Sequence, residues 1–291
     1  MESWEIVGGA RLVGEVRLTG AKNSVLKLMA AALLAPGRTV LTEVPDILDV
    51  DIMGQLLTRL GAQVVHDRPA GAVAIDVPDQ LDHRADYDLV RRMRASISVL
   101  GPLLARCGEA DIALPGGDNI GSRGLDMHIA GLERMGAQVS VQHGYLQAVA
   151  RQLRGSTIWL DFPSVGATES LLMAAVTAEG RTVIDNAARE PEIVDIANMM
   201  VQMGAQISGI GTSTLTVEGV DVLQPVHHVT VSDRIVAGTW AVAAAITQGE
   251  ITVINACAEH LEIALDKLAT AAAHVDVHAD SFTVSMDTRP K

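Results

Sequence analysis

Arg59-Leu60-Gly61-Ala62-Gln63-Val64 returns as Arg134-Met135-Gly136-Ala137-Gln138-Val139, and again as Gln202-Met203-Gly204-Ala205-Gln206-Ile207. A weaker fourth copy is Thr270-Ala271-Ala272-Ala273-His274-Val275. The spacings are 75, 68 and 68 residues. A second marker keeps the same period. Apolar helix ends close on Gly37, Gly108, Gly180 and Gly249, each followed by a β-branched strand, at spacings of 71, 72 and 69. Two independent markers with one period identify a tandem repeat.

Each copy reads as a strand, a helix that is apolar nearly all round and therefore buried, a Gly stop and a second strand. An amphipathic helix follows, such as Asp49–Leu60 with Met53, Leu56, Leu57 and Leu60 on one face, and then a hairpin. The predicted fold class is α+β, an α/β repeat of tandem βαβαββ units. The units span roughly 20–85, 86–155, 156–230 and 231–291. Residues 1–20 read as an extra strand pair, Trp4–Val7 and Arg11–Leu18, and the likeliest boundary is Leu223–Val229 with His227-His228.

Composition narrows the function. The 291 residues carry a formal charge of −13, which argues against a nucleic-acid surface. No apolar run reaches the ~18 residues of a membrane span. Cys107 and Cys257 lack metal spacing and the nine histidines show no ligand pattern. These features predict a cytoplasmic protein with no membrane partner.

The ends of the apolar helices are polar: Lys22-Asn23-Ser24, Arg91-Arg92 with Arg94, Ser164 to Glu169, and Ser232-Asp233-Arg234. Asn23, Ser24, Ser164 and Asp233 also suit ordinary helix capping. Converging helix N-termini bind anions, and Lys22, Arg94 and Arg123 add positive charge there. Between them lies Leu114-Pro115-Gly116-Gly117-Asp118-Asn119-Ile120-Gly121-Ser122-Arg123, a glycine-rich loop with one carboxylate and one guanidinium.

These motifs, with Met93-Arg94-Ala95-Ser96, Ser164-Val165-Gly166-Ala167-Thr168 and Asn186–Asp195, resemble the UDP-N-acetylglucosamine 1-carboxyvinyltransferases, enolpyruvyl transferases that open peptidoglycan synthesis. The resemblance runs from about Trp4 to Lys291. It implies six βαβαββ units in two lobes, of which four are present. Residues 22–230 would form a complete lobe carrying the catalytic loop. Residues 1–21 and 231–291 would form part of the second, leaving the helix Ile235–Ile246 most exposed.

The resemblance implies that the sugar 3′-hydroxyl adds to phosphoenolpyruvate while the methylene carbon is protonated, after which phosphate and a proton leave. It implies no metal and no organic cofactor. Lys22, Asn23, Arg94 and Arg123 would hold phosphoenolpyruvate, and Asn23, Arg94, Asp126, Ser164, Val165 and Gly166 the nucleotide sugar. Asp118 would be the proton donor, where most members carry a cysteine, a departure seen in actinobacterial members. For an Asp to donate near neutrality its pKa must rise by desolvation or substrate anions, against the pull of Lys22, Arg94 and Arg123. Gly124 stands where the family usually has Pro. The family's base, an aspartate, and two further arginines lie beyond the position of Lys291, so this chain alone is expected to turn over weakly or not at all. A non-catalytic or regulatory nucleotide-sugar-binding relative is the alternative reading, and self-association through uncovered faces is a further expectation.

A carboxylate at position 118 is not alkylated by the epoxide antibiotic fosfomycin as a thiol is. Incubation with the drug should leave the intact mass of the chain unchanged; rapid covalent adduct formation would contradict this assignment.

Overall fold

The computed structural model describes residues 3–5, 7–85, 87–114 and 124–290. The repeat appears as four passes through one pattern. The first runs β1 (Val13–Arg17), α1 (Lys22–Ala32), β2 (Gly37–Thr42), α2 (Leu48–Arg59), β3 (Gln63–Asp67) and β4 (Ala72–Val77). The second runs β5 (Arg84–Ala85), a short turn α3 (Tyr87–Val90), a 3₁₀ turn (Arg94–Val99), α4 (Leu100–Cys107), β6 (Glu109–Ala113), α5 (Asp126–Arg134), β7 (Gln138–Gln142) and β8 (Tyr145–Val149). The third runs β9 (Thr157–Trp159), α6 (Val165–Ala175), β10 (Arg181–Asp185), α7 (Pro191–Gln202), β11 (Gln206–Ser208) and β12 (Thr214–Glu218). The fourth runs β13 (His227–Val229), α8 (Arg234–Ile246), β14 (Glu250–Ile254), a 3₁₀ turn (Ala258–Leu261), α9 (Glu262–Thr270), β15 (His274–Val277) and β16 (Ser281–Ser285).

The four sheets share one plan, β13-β2-β4-β3, β5-β6-β8-β7, β9-β10-β12-β11 and β1-β14-β16-β15. In each, a leading strand pairs parallel with the strand after the apolar helix, and the hairpin completes the sheet antiparallel. Two leading strands are exchanged. β13 precedes α8 but pairs with β2, and β1 precedes α1 but pairs with β14. The chain accordingly divides into two compact units, Lys22–Val231 and Met1–Ala21 with Ser232–Lys291.

In the Lys22–Val231 unit, α1, α4 and α6 are the cores of the three repeats. Leu28 to Leu33 of α1 and its C-terminal extension, and Leu171 to Val176 of α6, have no exposed surface. Gly101 lets α4 lie against α6, since a Cβ there would stand 2.5 Å from the Ser170 carbonyl oxygen and 3.2 Å from the Met173 Cβ. Met199, Met200 and Met203 are fully buried, as their helical spacing predicts. His227-His228 proves more than a boundary. Buried Asp195 accepts from Ser24 Oγ at 2.5 Å, from Val231 N at 3.1 Å and from His228 Nε2 at 2.7 Å. The cluster ties α1, α7 and β13 together beside the residues where the chain enters and leaves the unit.

In the other unit, Phe282, Val284, Ile251 and Val253 pack beneath Ala237, Ala241, Ala244 and Ala245 of α8. The opposite face of α8 exposes Ile235, Val236, Val242 and Ile246, the last at 67%. The expected strand Trp4–Val7 is absent among the described residues. Trp4 and Val7 are exposed, Gly8-Gly9 follow them, and β1 already occupies the sheet edge.

The repeated Gly-Ala signature has a conformational cause. Gly61, Gly136 and Gly204 have φ of 106°, 94° and 105°, closing their helices in the left-handed region. The fourth copy places Ala272 there at φ 80°. A left-handed Ala costs about 1–2 kcal/mol, partly offset by the lower chain entropy of the unfolded state. Ala272→Gly should therefore stabilise this unit by about 0.5–1 kcal/mol in urea unfolding; a lower midpoint would contradict the strain.

Candidate functional site

Three of the polar helix ends meet at one cleft of about 900 Å³ in the Lys22–Val231 unit. Asn23 and Lys27 come from α1, Arg94 from the 3₁₀ turn ahead of α4, and Ser164, Val165, Gly166 and Glu169 from the start of α6. Asp126 and His128 enter from α5.

The α6 end is arranged for an acceptor. Ser164 caps it, its Oγ taking the Ala167 N–H at 3.4 Å while its carbonyl takes that of Thr168 at 3.0 Å. The preceding N–H groups, Val165 and Gly166, have no intrahelical partner and lie at the positive end of the helix dipole. Asp233 caps α8 in the same way, through the Ile235 and Val236 N–H groups. Asn23 and Ser24 do not cap. They lie inside α1, where Ser24 Oγ is committed to Asp195.

The electrostatics are governed by burial. Glu169 is 1% exposed, and desolvation raises its carboxyl pKa against the attraction of Lys27. The Lys27 ammonium sits 3.4 Å from Glu169 Oε1 and donates to the Asn23 carbonyl at 2.6 Å. Desolvation, reinforced by the Arg94 guanidinium, lowers the His128 pKa to about 4, with Asp126 and the Gly166 backbone opposing. Neither His128 ring nitrogen has a hydrogen-bond partner among the described residues. His128 is therefore a neutral imidazole at neutral pH.

The structure brings together Asn23, Arg94, Asp126, Ser164, Val165 and Gly166 of the residues singled out in the sequence. Lys22 does not border this cleft; its ammonium pairs with Asp49 at 2.7 Å. Asp118 and Arg123 lie outside the described residues. Leu114 and Gly124, which flank their loop, border a smaller cavity that also includes Arg94. Gly124 leaves room for Asp126, because a Cβ at 124 would stand 2.6 Å from Asp126 Oδ1. Lys27 and His128 were missed by the motif reading, although a lysine and a glutamate inside two apolar helices are a signal that both charges are held for a reason.

Comparisons with known proteins give the family. The family described as EPSP synthase (3-phosphoshikimate 1-carboxyvinyltransferase) matches residues 6–291. A UDP-N-acetylglucosamine 1-carboxyvinyltransferase of Corynebacterium jeikeium is 56% identical over 290 residues, covering 100% of this chain and 69% of that protein. The protein of the same name from Nocardia farcinica is 55% identical, with the same coverage. The chain belongs to the UDP-N-acetylglucosamine 1-carboxyvinyltransferase family. The fold is shared with the enolpyruvyl transferase NikO from Streptomyces tendae, at TM-score 0.85 and 24% identity over 96% of this chain and 66% of that one. It is also shared with EPSP synthase from Acinetobacter baumannii, at TM-score 0.74 and 19% identity over 97% of this chain and 66% of that one. The chain thus spans about two thirds of the length of these family members and neighbours.

The depressed His128 pKa fixes a pH dependence. The unfolded chain takes up this proton near pH 6.5 and the folded chain only near 4, so stability is full above 6.5 and falls as pH drops towards 4. Between pH 6.5 and 5 the loss from this residue is roughly 2 kcal/mol. His128→Gln should flatten that part of the urea-unfolding pH profile; an unchanged slope would contradict a buried neutral imidazole.

Proposed function

We propose that this chain carries the enolpyruvyl-transfer chemistry of its family, with phosphoenolpyruvate and UDP-N-acetylglucosamine as its substrates. The observation that carries the reading is the capped start of α6 opening onto a cleft that also holds Arg94. Helix-start N–H groups and a guanidinium are donors that suit a nucleoside diphosphate. In this reading the Val165 and Gly166 N–H groups and Ser164 face the diphosphate, while Asn23, Arg94 and Asp126 orient the nucleotide sugar.

Phosphoenolpyruvate falls to Lys22, Asn23, Arg94 and Arg123. Lys22 is paired with Asp49 here, so a substrate anion would replace that carboxylate as its partner. Asp118 delivers the proton to the methylene carbon as the sugar oxygen bonds to the adjoining carbon and gives up its hydroxyl proton to a general base, the aspartate that the family resemblance implies. The tetrahedral ketal then loses phosphate and a methyl proton, restoring the enol ether double bond. Phosphorylated substrates of this kind place the reaction in the cytoplasm.

Calorimetric titration with UDP-N-acetylglucosamine tests the reading on the chain itself. Saturable binding is expected, with Arg94→Ala weakening it by about tenfold or more, as loss of a hydrogen bond to a charged group requires. Absence of binding, or equal binding by the variant, would overturn it.

A further inference from the structure

We propose that Lys27 is a further phosphate-contacting residue of the cleft, held in place by Glu169 and the Asn23 carbonyl and directing its remaining N–H at a phosphoryl oxygen of the ligand. The inference deepens the proposed function, since it rests on the cleft taking a nucleoside diphosphate.

Three observations carry it. First, an ammonium has three N–H donors. The Asn23 carbonyl at 2.6 Å takes one, and Glu169 Oε1 stands 3.4 Å from the nitrogen as an ion-pair contact. Side chains in a helix point towards its N-terminus, so Lys27, one turn after Asn23, brings its charge back to the α1 end that borders the cleft. Second, Glu169 is a poor counter-ion. It is fully buried, its carboxyl is pushed towards the neutral form, and Glu192 and Glu190 add to that push. The Lys27 side chain, 13% exposed, keeps its ammonium at the edge of the cleft, where a ligand anion can reach it. Third, His128 is 5% exposed, borders the same cleft and has both ring nitrogens without a hydrogen-bond partner among the described residues. Lys27 and His128, from different helices, therefore border the same cleft as Val165 and Gly166. A phosphoryl oxygen there would satisfy Lys27 directly.

A purely structural role predicts something different. If Lys27 served only to join α1 to α6, a methionine of similar length would fill its stem and ligand affinity would not change. If it contacts phosphate, charge is what matters.

The sequence has four lysines, Lys22, Lys27, Lys267 and Lys291, so labelling of Lys27 is readily resolved by peptide mass spectrometry. Reductive methylation is followed with no ligand, with UDP-N-acetylglucosamine and with inorganic pyrophosphate, and the affinities of Lys27→Met and Lys27→Arg for UDP and uridine are measured by calorimetry. The expected result is protection of Lys27 by both phosphorylated ligands. Lys27→Met should bind UDP about tenfold more weakly, Lys27→Arg should recover most of the loss, and uridine should bind all three proteins alike. Removing the ammonium leaves Glu169 without it, so K27M/E169Q is measured alongside. If neither lysine variant folds, protection in the unaltered protein decides. Lys27 protected by pyrophosphate in a chain that does not bind UDP-N-acetylglucosamine would support the phosphate contact and overturn the proposed substrate. UDP affinity unchanged in Lys27→Met, or no protection by either ligand, would overturn the inference.

Discussion

A helix with no polar face must be covered on every side, and the architecture follows from that. α4 lies on α6, α6 also meets α5 and α7, and α1 is covered by α7, α2 and the 3₁₀ turn Arg94–Val99, with the sheets outside. Gly101 permits the closest contact, helix backbone against helix backbone. Polar residues of α1 and α6 gather in their N-terminal halves, from Lys22 to Lys27 and from Ser164 to Ser170. Three repeats related by one period bring those ends to one cleft, where unpaired N–H groups and basic side chains accumulate. The cleft is thus a consequence of how the repeats bury themselves.

The polar groups left inside this unit fall into two kinds. Asp195 is satisfied by Ser24, His228 and Val231, so its buried charge is offset by three donors and serves to fix α1, α7 and β13. His128 and Glu169 are not satisfied in that way. Both border the cleft, and both have pKa values moved towards the neutral form by desolvation. Buried polar groups with incomplete partners are expensive, and they are found where a ligand can supply what the fold does not.

The repeat, its helices and its hairpins were legible because each uses a local rule: all-round apolarity, a left-handed glycine, alternation across a hairpin. Even the weak fourth copy obeys the geometry, with Ala272 forced into the left-handed region. The exchange of β1 and β13 between sheets is a different matter. Strand pairing over more than 180 residues, as between Val229 and Thr42, leaves no local trace. That Arg94 and Ser164 to Gly166 border one cleft was legible through motif position and their place at helix ends. Lys22 was read as a substrate cation, whereas its partner here is Asp49, which no spacing rule connects to it. Trp4–Val7 carries strand-forming residues, but a strand requires a partner edge, and β1 holds that edge. His128 became informative only when its burial removed its charge.

The central claim is that the start of α6 is the diphosphate seat of a cleft built from three repeat cores. Backbone hydrogen exchange with and without UDP-N-acetylglucosamine addresses it directly. The account predicts slowed exchange at Val165 and Gly166, with smaller effects at the starts of α1 and α5. Unchanged exchange at Val165 and Gly166 under saturating ligand would contradict it.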